Sequence, residues 1–306
     1  MTPPQVHQPP YKTVGEHPSD SHVIEEKYVE DGTLGRGGFG SVYAGRRKID
    51  NLPVAIKHIR KKKMHCHQVD FNGKTRIIPL EAFLMLKVGA GPATVGTCAA
   101  AAMLDWYELE REVLLVMEKP VPGVSLLNYM ENNGGCLEED AAKNITKQMV
   151  DAALMMHTKS IMHRDIKTEN LLLETGSNDL RVRVIDFGCG CLVQEEPYST
   201  FSGTASYAPP EFFKARMYEA GPTTVWQLGV LLYEMLHRAQ HFNTLKFLCG
   251  ELSFNTSMSQ DCSNFLRHCL ILDPQQRATL EQLQLDPWLQ SHTVATTETP
   301  GEMPGF

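Results

Sequence analysis

Apolar and polar positions alternate in short runs through the first third of the chain. Val29 to Leu34, Ser41 to Arg47 and Val54 to Ile59 read as strands bounded by Gly, Asn or Pro. Asp50-Asn51, between the second and third runs, is a turn signal. Leu80 to Val88 changes period: its apolar residues recur at helical spacing among good helix formers. Val113 to Met117 is strand-like again, and Pro120 and Pro122 end the pattern. Beyond them the spacing turns helical. Leu137 to His157 opens on Glu138, Glu139 and Asp140, acids that suit a helix N-terminus. Val225 to His237 and Cys262 to Leu270 have the length and apolar content of buried helices. Thr279 to Leu285 is a shorter helix with Thr279 as its N-cap. A strand-rich part, a Pro-containing connector and a helix-rich part predict an α+β chain in two lobes. The junction of two lobes is a favoured place for a ligand cleft.

The composition changes this picture by exclusion. With 42% hydrophobic and 21% charged residues, the 306-residue chain is globular rather than disordered, and it can bury a core without staples. Eight cysteines include no C-x-x-C pair, so neither a zinc ribbon nor a disulfide scaffold is expected. Reduced thiols fit the cytosol or nucleus, so a cytoplasmic location, with the nucleus as an extension, is the expectation. The chain has no run of 18 apolar residues, which argues against a membrane partner, and MTPPQVHQPPYK lacks the apolar core of a signal peptide. A pI near 5.9 argues against general nucleic-acid binding. The net charge of −7 is uneven: residues 1–122 carry +2 and residues 123–306 carry −9. Residues 1–20 and 291–306 read as disordered tails.

Five segments carry chemistry. In Gly35-Arg36-Gly37-Gly38-Phe39-Gly40-Ser41-Val42, the glycines let a backbone turn tightly and approach phosphate oxygens. A Gly-rich hairpin would share this pattern. Strand runs flank it and no helix follows, which separates it from a dinucleotide fingerprint. Lys57 ends Val54-Ala55-Ile56-Lys57, 17 residues after Gly40. A lysine there either reaches solvent from a strand edge or is buried as a phosphate clamp, paired with Glu81. His163-Arg164-Asp165-Ile166-Lys167-Thr168-Glu169-Asn170 alternates an acid, a base and an amide. The Asp can accept a hydroxyl proton, the Lys can neutralise a phosphoryl group and the Asn can ligate a hard cation. Asp186-Phe187-Gly188 lies 21 residues after Asp165 and offers a magnesium ligand at a strand end. In Gly203-Thr204-Ala205-Ser206-Tyr207-Ala208-Pro209-Pro210-Glu211, Glu211 is a candidate partner for Arg277.

In this order the five segments resemble the protein-kinase signature from about residue 28 to 290, and Lys167 resembles the serine/threonine class. A closer resemblance is to the PIM serine/threonine kinases. It rests on Gly37 to Tyr43, on Asp50 to His58, on Glu118-Lys119-Pro120-Val121-Pro122, on the double proline before Glu211 and on Thr224 to Gly229. Most kinases carry Asp where this chain has Thr224; PIM members lack it too. The resemblance implies a two-lobed kinase fold, with an antiparallel-sheet N-lobe and one main helix at 28–118, a hinge at 118–122 and a mostly helical C-lobe at 123–290. It implies transfer of the ATP γ-phosphate to Ser/Thr hydroxyls of proteins with Mg2+ as cofactor, by a monomer active without activation-loop phosphorylation.

By the same resemblance, Asp165 is the catalytic base, Lys167 stabilises the transferred group, and Asn170 and Asp186 hold magnesium. Lys57 contacts the phosphates and pairs with Glu81. Gly35, Arg36, Gly37, Gly38, Phe39, Gly40 and Ser41 cover the nucleotide, and Leu34, Val42 and Ala55 hold the adenine. Pro120 has no N–H, so the Glu118 carbonyl is the one connector group expected to bond the base.

Some positions depart from the family. Where PIM kinases place acids that read basic substrates, this chain has Ser125, Asn128 and Thr168; Glu169 and Glu234 remain. Arg238-Ala239-Gln240-His241-Phe242 replaces the family's Gly-Asp-x-Pro-Phe segment. A weakened preference for basic substrates follows. Residues 89–103 are longer and richer in Ala and Gly, with no function assigned. His65-Cys66-His67 is read as surface, since three neighbours rarely converge on one ion. Arg60-Lys61-Lys62-Lys63 is read as a solvated face before a nuclear address, and Cys189 and Cys191 as packed thiols. The complete catalytic set argues against a kinase fold kept only as an interaction module. Thr204 and Pro209-Pro210-Glu211 argue against a small-molecule kinase.

Overall fold

The computed structural model describes residues 20–37, 40–71, 74–176, 180–238, 241–255 and 257–291. The readings of residues 1–19 and 292–306 as tails, and the candidates Gly38 and Phe39, lie outside these residues.

The first half is built on a five-stranded antiparallel sheet ordered β1-β2-β3-β7-β6. Its strands are β1 (Tyr28–Arg36), β2 (Gly40–Arg47), β3 (Pro53–Arg60), β6 (Met103–Glu108) and β7 (Glu112–Glu118). Opposed residues of an antiparallel pair share a face. Val42 lies opposite Lys57, Ala44 opposite Ala55, and Ala55 opposite Met117, so Val42, Ala55 and Lys57 share one face. Val54 and Ile56 point to the other face. They pack with Leu114, Val116 and Leu104 beneath Ile24 and Tyr28. Ile24 belongs to α1 (Asp20–Lys27), so Asp20 starts a helix rather than ending a tail.

β4 (Cys66–Phe71) and β5 (Lys74–Pro79) form a separate hairpin leading into α2 (Leu80–Val88). Gly89, with φ of 93°, ends α2, and its N–H donates to Leu86 O. The hairpin, β6 and α1 are absent from the sequence reading. In β4, His, Gln and Asp interrupt the apolar alternation, and β6 follows an alanine run with no turn signal.

The second half begins with β8 (Gly123–Ser125), α3 (Leu126–Asn132) and α4 (Glu139–Thr158). Then come β9 (Ile161–Met162), β10 (Leu171–Glu174), β11 (Arg181–Val184) and β12 (Cys191–Leu192). β8, β10 and β11 form one small sheet, and β9 and β12 form another. α5 (Pro210–Ala215), α6 (Ala220–Leu236), α7 (Thr244–Leu248), α8 (Gln260–Cys269), α9 (Leu280–Gln284) and α10 (Pro287–Gln290) complete the chain. α6 is apolar nearly all round and is buried as a central helix. It starts five residues before the run that predicts it, with Pro222 in its first turn, where a missing N–H does no harm. Thr279 caps α9 in a capping box with Gln282.

Candidate active site at the lobe junction

β3 carries Lys57 onto the cleft face, and the first turn of α2 carries Glu81. Lys57 Nζ donates to both Glu81 oxygens at 2.8 and 2.9 Å and to Asp186 Oδ1 at 2.7 Å. Burial works against the Lys57 charge, but the Glu81 and Asp186 carboxylates outweigh it and hold its pKa above the ordinary lysine value. Burial also works against the Asp186 charge; Lys57 and the Gly188 N–H outweigh it, and its pKa falls. Burial pushes Glu81 up, with Lys57 opposing.

Asp186 adopts a left-handed backbone, with φ of 63°. Its Oδ1 accepts the Gly188 N–H at 3.1 Å, which turns the carboxylate toward Lys57. Phe187 is buried and packs edge-on against His163, with ring centres 4.9 Å apart. His163 Nε2 donates to Ile185 O at 3.1 Å, and its Nδ1 accepts the Asp165 N–H at 3.3 Å. Ile185 N in turn donates to Asn170 O at 2.9 Å. A backbone hydrogen bond therefore ties Asn170 to the residue just before Asp186.

Four donors orient the Asp165 carboxylate. Thr204 donates to Oδ1 through its N–H at 2.8 Å and its hydroxyl at 2.6 Å. Asn170 Nδ2 and Lys167 Nζ approach Oδ2 at 3.1 and 3.2 Å. Lys167 also donates to Thr204 Oγ1 at 2.9 Å. Burial opposes the Lys167 charge, but Asp165 and Glu169 outweigh it and raise its pKa. Thr204 stands in one of the motifs, but its sequence context does not reveal that it bridges Asp165 and Lys167.

The nucleotide-side candidates are in sheet register. Leu34 is half exposed in a β1 irregularity, and Val42 and Ala55 lie on the Lys57 face. Gly35, Arg36 and Gly37 follow Leu34, and Gly40 and Ser41 open β2. Gly37 N–H donates to Gly40 O at 2.8 Å, closing the turn between β1 and β2. A Cβ on Gly40 would lie 1.7 Å from His58 O, so this position accepts no side chain.

In the connector, the Glu118 N–H donates to Ala102 O at 2.8 Å. The Glu118 carboxylate has a part that sequence reasoning missed. It is buried and accepts from Arg183 at 2.7 and 3.2 Å, from Gly96 N at 2.7 Å and from Ala102 N at 3.0 Å. Residues 96–102 thus dock on β11: Ala101 N donates to Val184 O, and Val184 N donates to Ala99 O. Ala100, Ala101 and Ala102 are all buried. Small residues there let one backbone lie against another, which accounts physically for the alanine run.

Arg164, before the catalytic-base candidate, donates to Cys189 O at 2.5 Å and Gly190 O at 3.2 Å. Tyr198 in the following loop is buried and stacked on Tyr218 at 5.1 Å. Burial raises the Cys189 thiol, with the Asp165 charge adding to it. Glu211 forms the expected bidentate pair with Arg277, at 2.8 and 3.0 Å.

The substrate side corrects one expectation. Glu234 is buried; its Oε2 accepts from Tyr207 OH at 2.5 Å and its Oε1 from Phe242 N at 3.0 Å. Both oxygens have internal partners, and the exposed His241 Nδ1 also lies 3.8 Å from Oε1, so Glu234 is a partnered acid rather than a free one. Glu169 is exposed, next to buried Thr168. Ser125 caps α3, its Oγ accepting the Asn128 N–H at 3.2 Å.

Comparison with known proteins agrees with this geometry. The protein kinase domain family matches residues 28–289. Serine/threonine-protein kinase pim-2 of Danio rerio is 38% identical over 274 residues, covering 89% of this chain and 87% of that protein. Serine/threonine-protein kinase prk-2 of Caenorhabditis elegans is 32% identical over 288 residues, covering 92% of this chain and 62% of that protein. Serine/threonine-protein kinase SIK3 homolog of Danio rerio is 31% identical over 271 residues, 86% of this chain and 21% of that protein.

Proposed function

The chain belongs to the protein kinase family as a PIM-like serine/threonine kinase, a phosphotransferase using ATP on protein Ser/Thr residues; from that premise we propose how its residues divide the work. Asp165 orients the incoming hydroxyl and takes its proton. Lys167 neutralises the phosphoryl group in flight and, with Thr204, fixes Asp165. Lys57, kept charged by Glu81 and Asp186, offers its ammonium to the nucleotide phosphates. The glycine-rich turn covers those phosphates, while Leu34, Val42 and Ala55 enclose the base and the Glu118 carbonyl accepts from it. The division between lobes falls at 118–122.

The donor chemistry suits a hard cation. Asn170 anchors its amide nitrogen on Asp165, at 2.9 Å to the main-chain oxygen and 3.1 Å to Oδ2, which leaves the amide oxygen to coordinate. The Asp186 side chain is 37% exposed, and Oδ1 is the oxygen that meets Lys57 and Gly188. Asn170 and Asp186 would hold magnesium, which when bound neutralises phosphate charge.

The observation that carries this reading is the convergence of Lys57, Glu81 and Asp186 on one side and Asp165, Lys167 and Asn170 on the other, joined through Ile185. Turnover of ATP on a Ser/Thr peptide library tests it. Asp165→Asn is expected to lower kcat by about 10²–10⁴-fold; unchanged turnover would remove the case for this site. The enzyme acts without loop phosphorylation, because Arg164 is engaged by the Cys189 and Gly190 carbonyls rather than left to await a phosphate. Phosphatase-treated enzyme should keep its rate in the same assay.

Selection of basic substrates is weakened, with Glu169 as its remaining acid beside Ser125 and Asn128. The protein works as a monomer in the cytoplasm and nucleus, where its free thiols stay reduced; fractionation and sedimentation test these two points.

A further inference from the structure

Thr224 of α6 stands where most kinases carry Asp, and its hydroxyl is engaged away from the 163–170 loop. It donates to Ala220 O at 2.8 Å within its own helix and accepts from His157 Nε2 at 2.9 Å. One turn further along α6, Gln227 is fully buried beneath the catalytic loop. Its Nε2 donates to Arg164 O at 2.7 Å, and its Oε1 accepts the Ile166 N–H at 3.4 Å. These two groups belong to the peptide units on either side of Asp165. The amide therefore grips both bonds that carry the Asp165 Cα.

The loop needs such a grip. Arg164 holds a left-handed backbone with φ of 67°, a conformation that a residue with a Cβ adopts only under constraint. Gly203 also packs against this carbonyl, so closely that an added Cβ would lie 2.3 Å from Arg164 O. The carbonyl thus meets both Gln227 and Gly203, and the next residue, Thr204, donates twice to the Asp165 carboxylate. An aspartate can only accept. A glutamine amide both donates and accepts, and it does so without burying a charge.

We infer that Gln227 is a positioning residue that locks Asp165 to the central helix through both flanking peptide groups. The inference rests on the catalytic reading of Asp165. Gln227→Leu keeps the bulk and removes both hydrogen bonds; Gln227→Glu keeps the acceptor and sets a carboxylate against Arg164 O. Each should lose about 10²-fold in kcat while ATP affinity of the folded variant stays within about twofold; the thermal midpoint falls in both, and further in Gln227→Glu, whose carboxylate is buried without a partner.

The idea is overturned by a folded variant with wild-type kcat. It is equally overturned if kcat and ATP affinity of the folded fraction fall together, as a purely structural role would require. If neither variant folds, amide hydrogen exchange in the wild type decides. An Ile166 N–H protected like the α6 amides supports the clamp, and exchange at loop rates rejects it. Wild-type turnover indifferent to Asp165→Asn would sink the catalytic reading and this one with it. Asp165-dependent turnover with an indifferent Gln227→Leu would sink this one alone.

Discussion

Two buried ion clusters, one in the cleft and one in the helical half, use the same chemistry to different ends. Arg277 has a fully buried side chain. It donates to both oxygens of Glu211, to Pro222 O and to Ile271 O, and lies over the Trp226 ring at 5.0 Å. Its Nε and both terminal nitrogens are answered from within the same helical region. Lys57 is nearly as buried, yet its partners come from α2 and from the loop after β11, and the Asp186 side chain remains over one third exposed. A closed cluster is a fastening. An open one, fed from several elements, is a site whose partners can change when a charged ligand enters.

The sharpest way to break this comparison is to remove each cation. Arg277→Met leaves Glu211 buried and unpaired, so unfolding free energy should fall by about 3–5 kcal/mol, with turnover per folded molecule retained. Lys57→Met should lower turnover by about 10²–10³-fold as well as costing stability, because it leaves buried Glu81 without its cation while Asp186 reaches water. Denaturant titration beside steady-state kinetics separates the two outcomes, and a reversed ranking in turnover would end the distinction.

The groove offers a gain-of-function version. Ser125→Asp and Asn128→Asp place acids at a half-buried and an exposed position of the β8–α3 segment. Each should strengthen selection of arginine-containing peptides by about 1.5–3 kcal/mol. Peptide-library kcat/KM values measure this, and an unchanged profile would place basic-residue selection elsewhere.

The smallest effect is in pH. Burial lowers the pKa of His157 and of His237 below the ordinary 6.5. A folded pKa below the unfolded one means the native state binds fewer protons, so stability is full above about pH 6.5 and declines as pH falls. Lys57, raised from 10.5, loses its contribution only as pH climbs through its folded value. Asp186, lowered from 3.8, loses its contribution only in strong acid. Glu81, raised by burial, slopes opposite to the histidines. A thermal midpoint falling between pH 7.5 and 5.5, less steeply in His237→Gln, is the expected result. A flat profile would show that these histidines do not couple to stability.

Much of the site was legible because its parts are linear. The Lys57 strand, the 163–170 loop and Asp186-Phe187-Gly188 declare their residue types within a few positions. The α2, α4, α8 and α9 helices followed from period and caps, and Arg277 with Glu211 from charge alone. The rest was hidden for specific reasons. Glu234 reads as a groove acid until Tyr207 and Phe242 are seen to take its oxygens. Glu118 reads as a backbone acceptor until Arg183, Gly96 and Ala102 converge on its carboxylate. Gln227 sits in an apolar helix and has no local signal, since its partners lie 61 and 63 positions away.

The sequence by itself determined the strand-rich and helix-rich halves, the residue types at the catalytic positions and the loss of acids at 125, 128 and 168. Local spacing and side-chain chemistry suffice for those, because each is set within one element or loop. Only the tertiary structure decided which polar groups are satisfied by whom. Partners such as Lys57 and Asp186, 129 positions apart, meet through packing of separate elements. Burial then decides which of the resulting charges stay open to a ligand and which are closed into the frame.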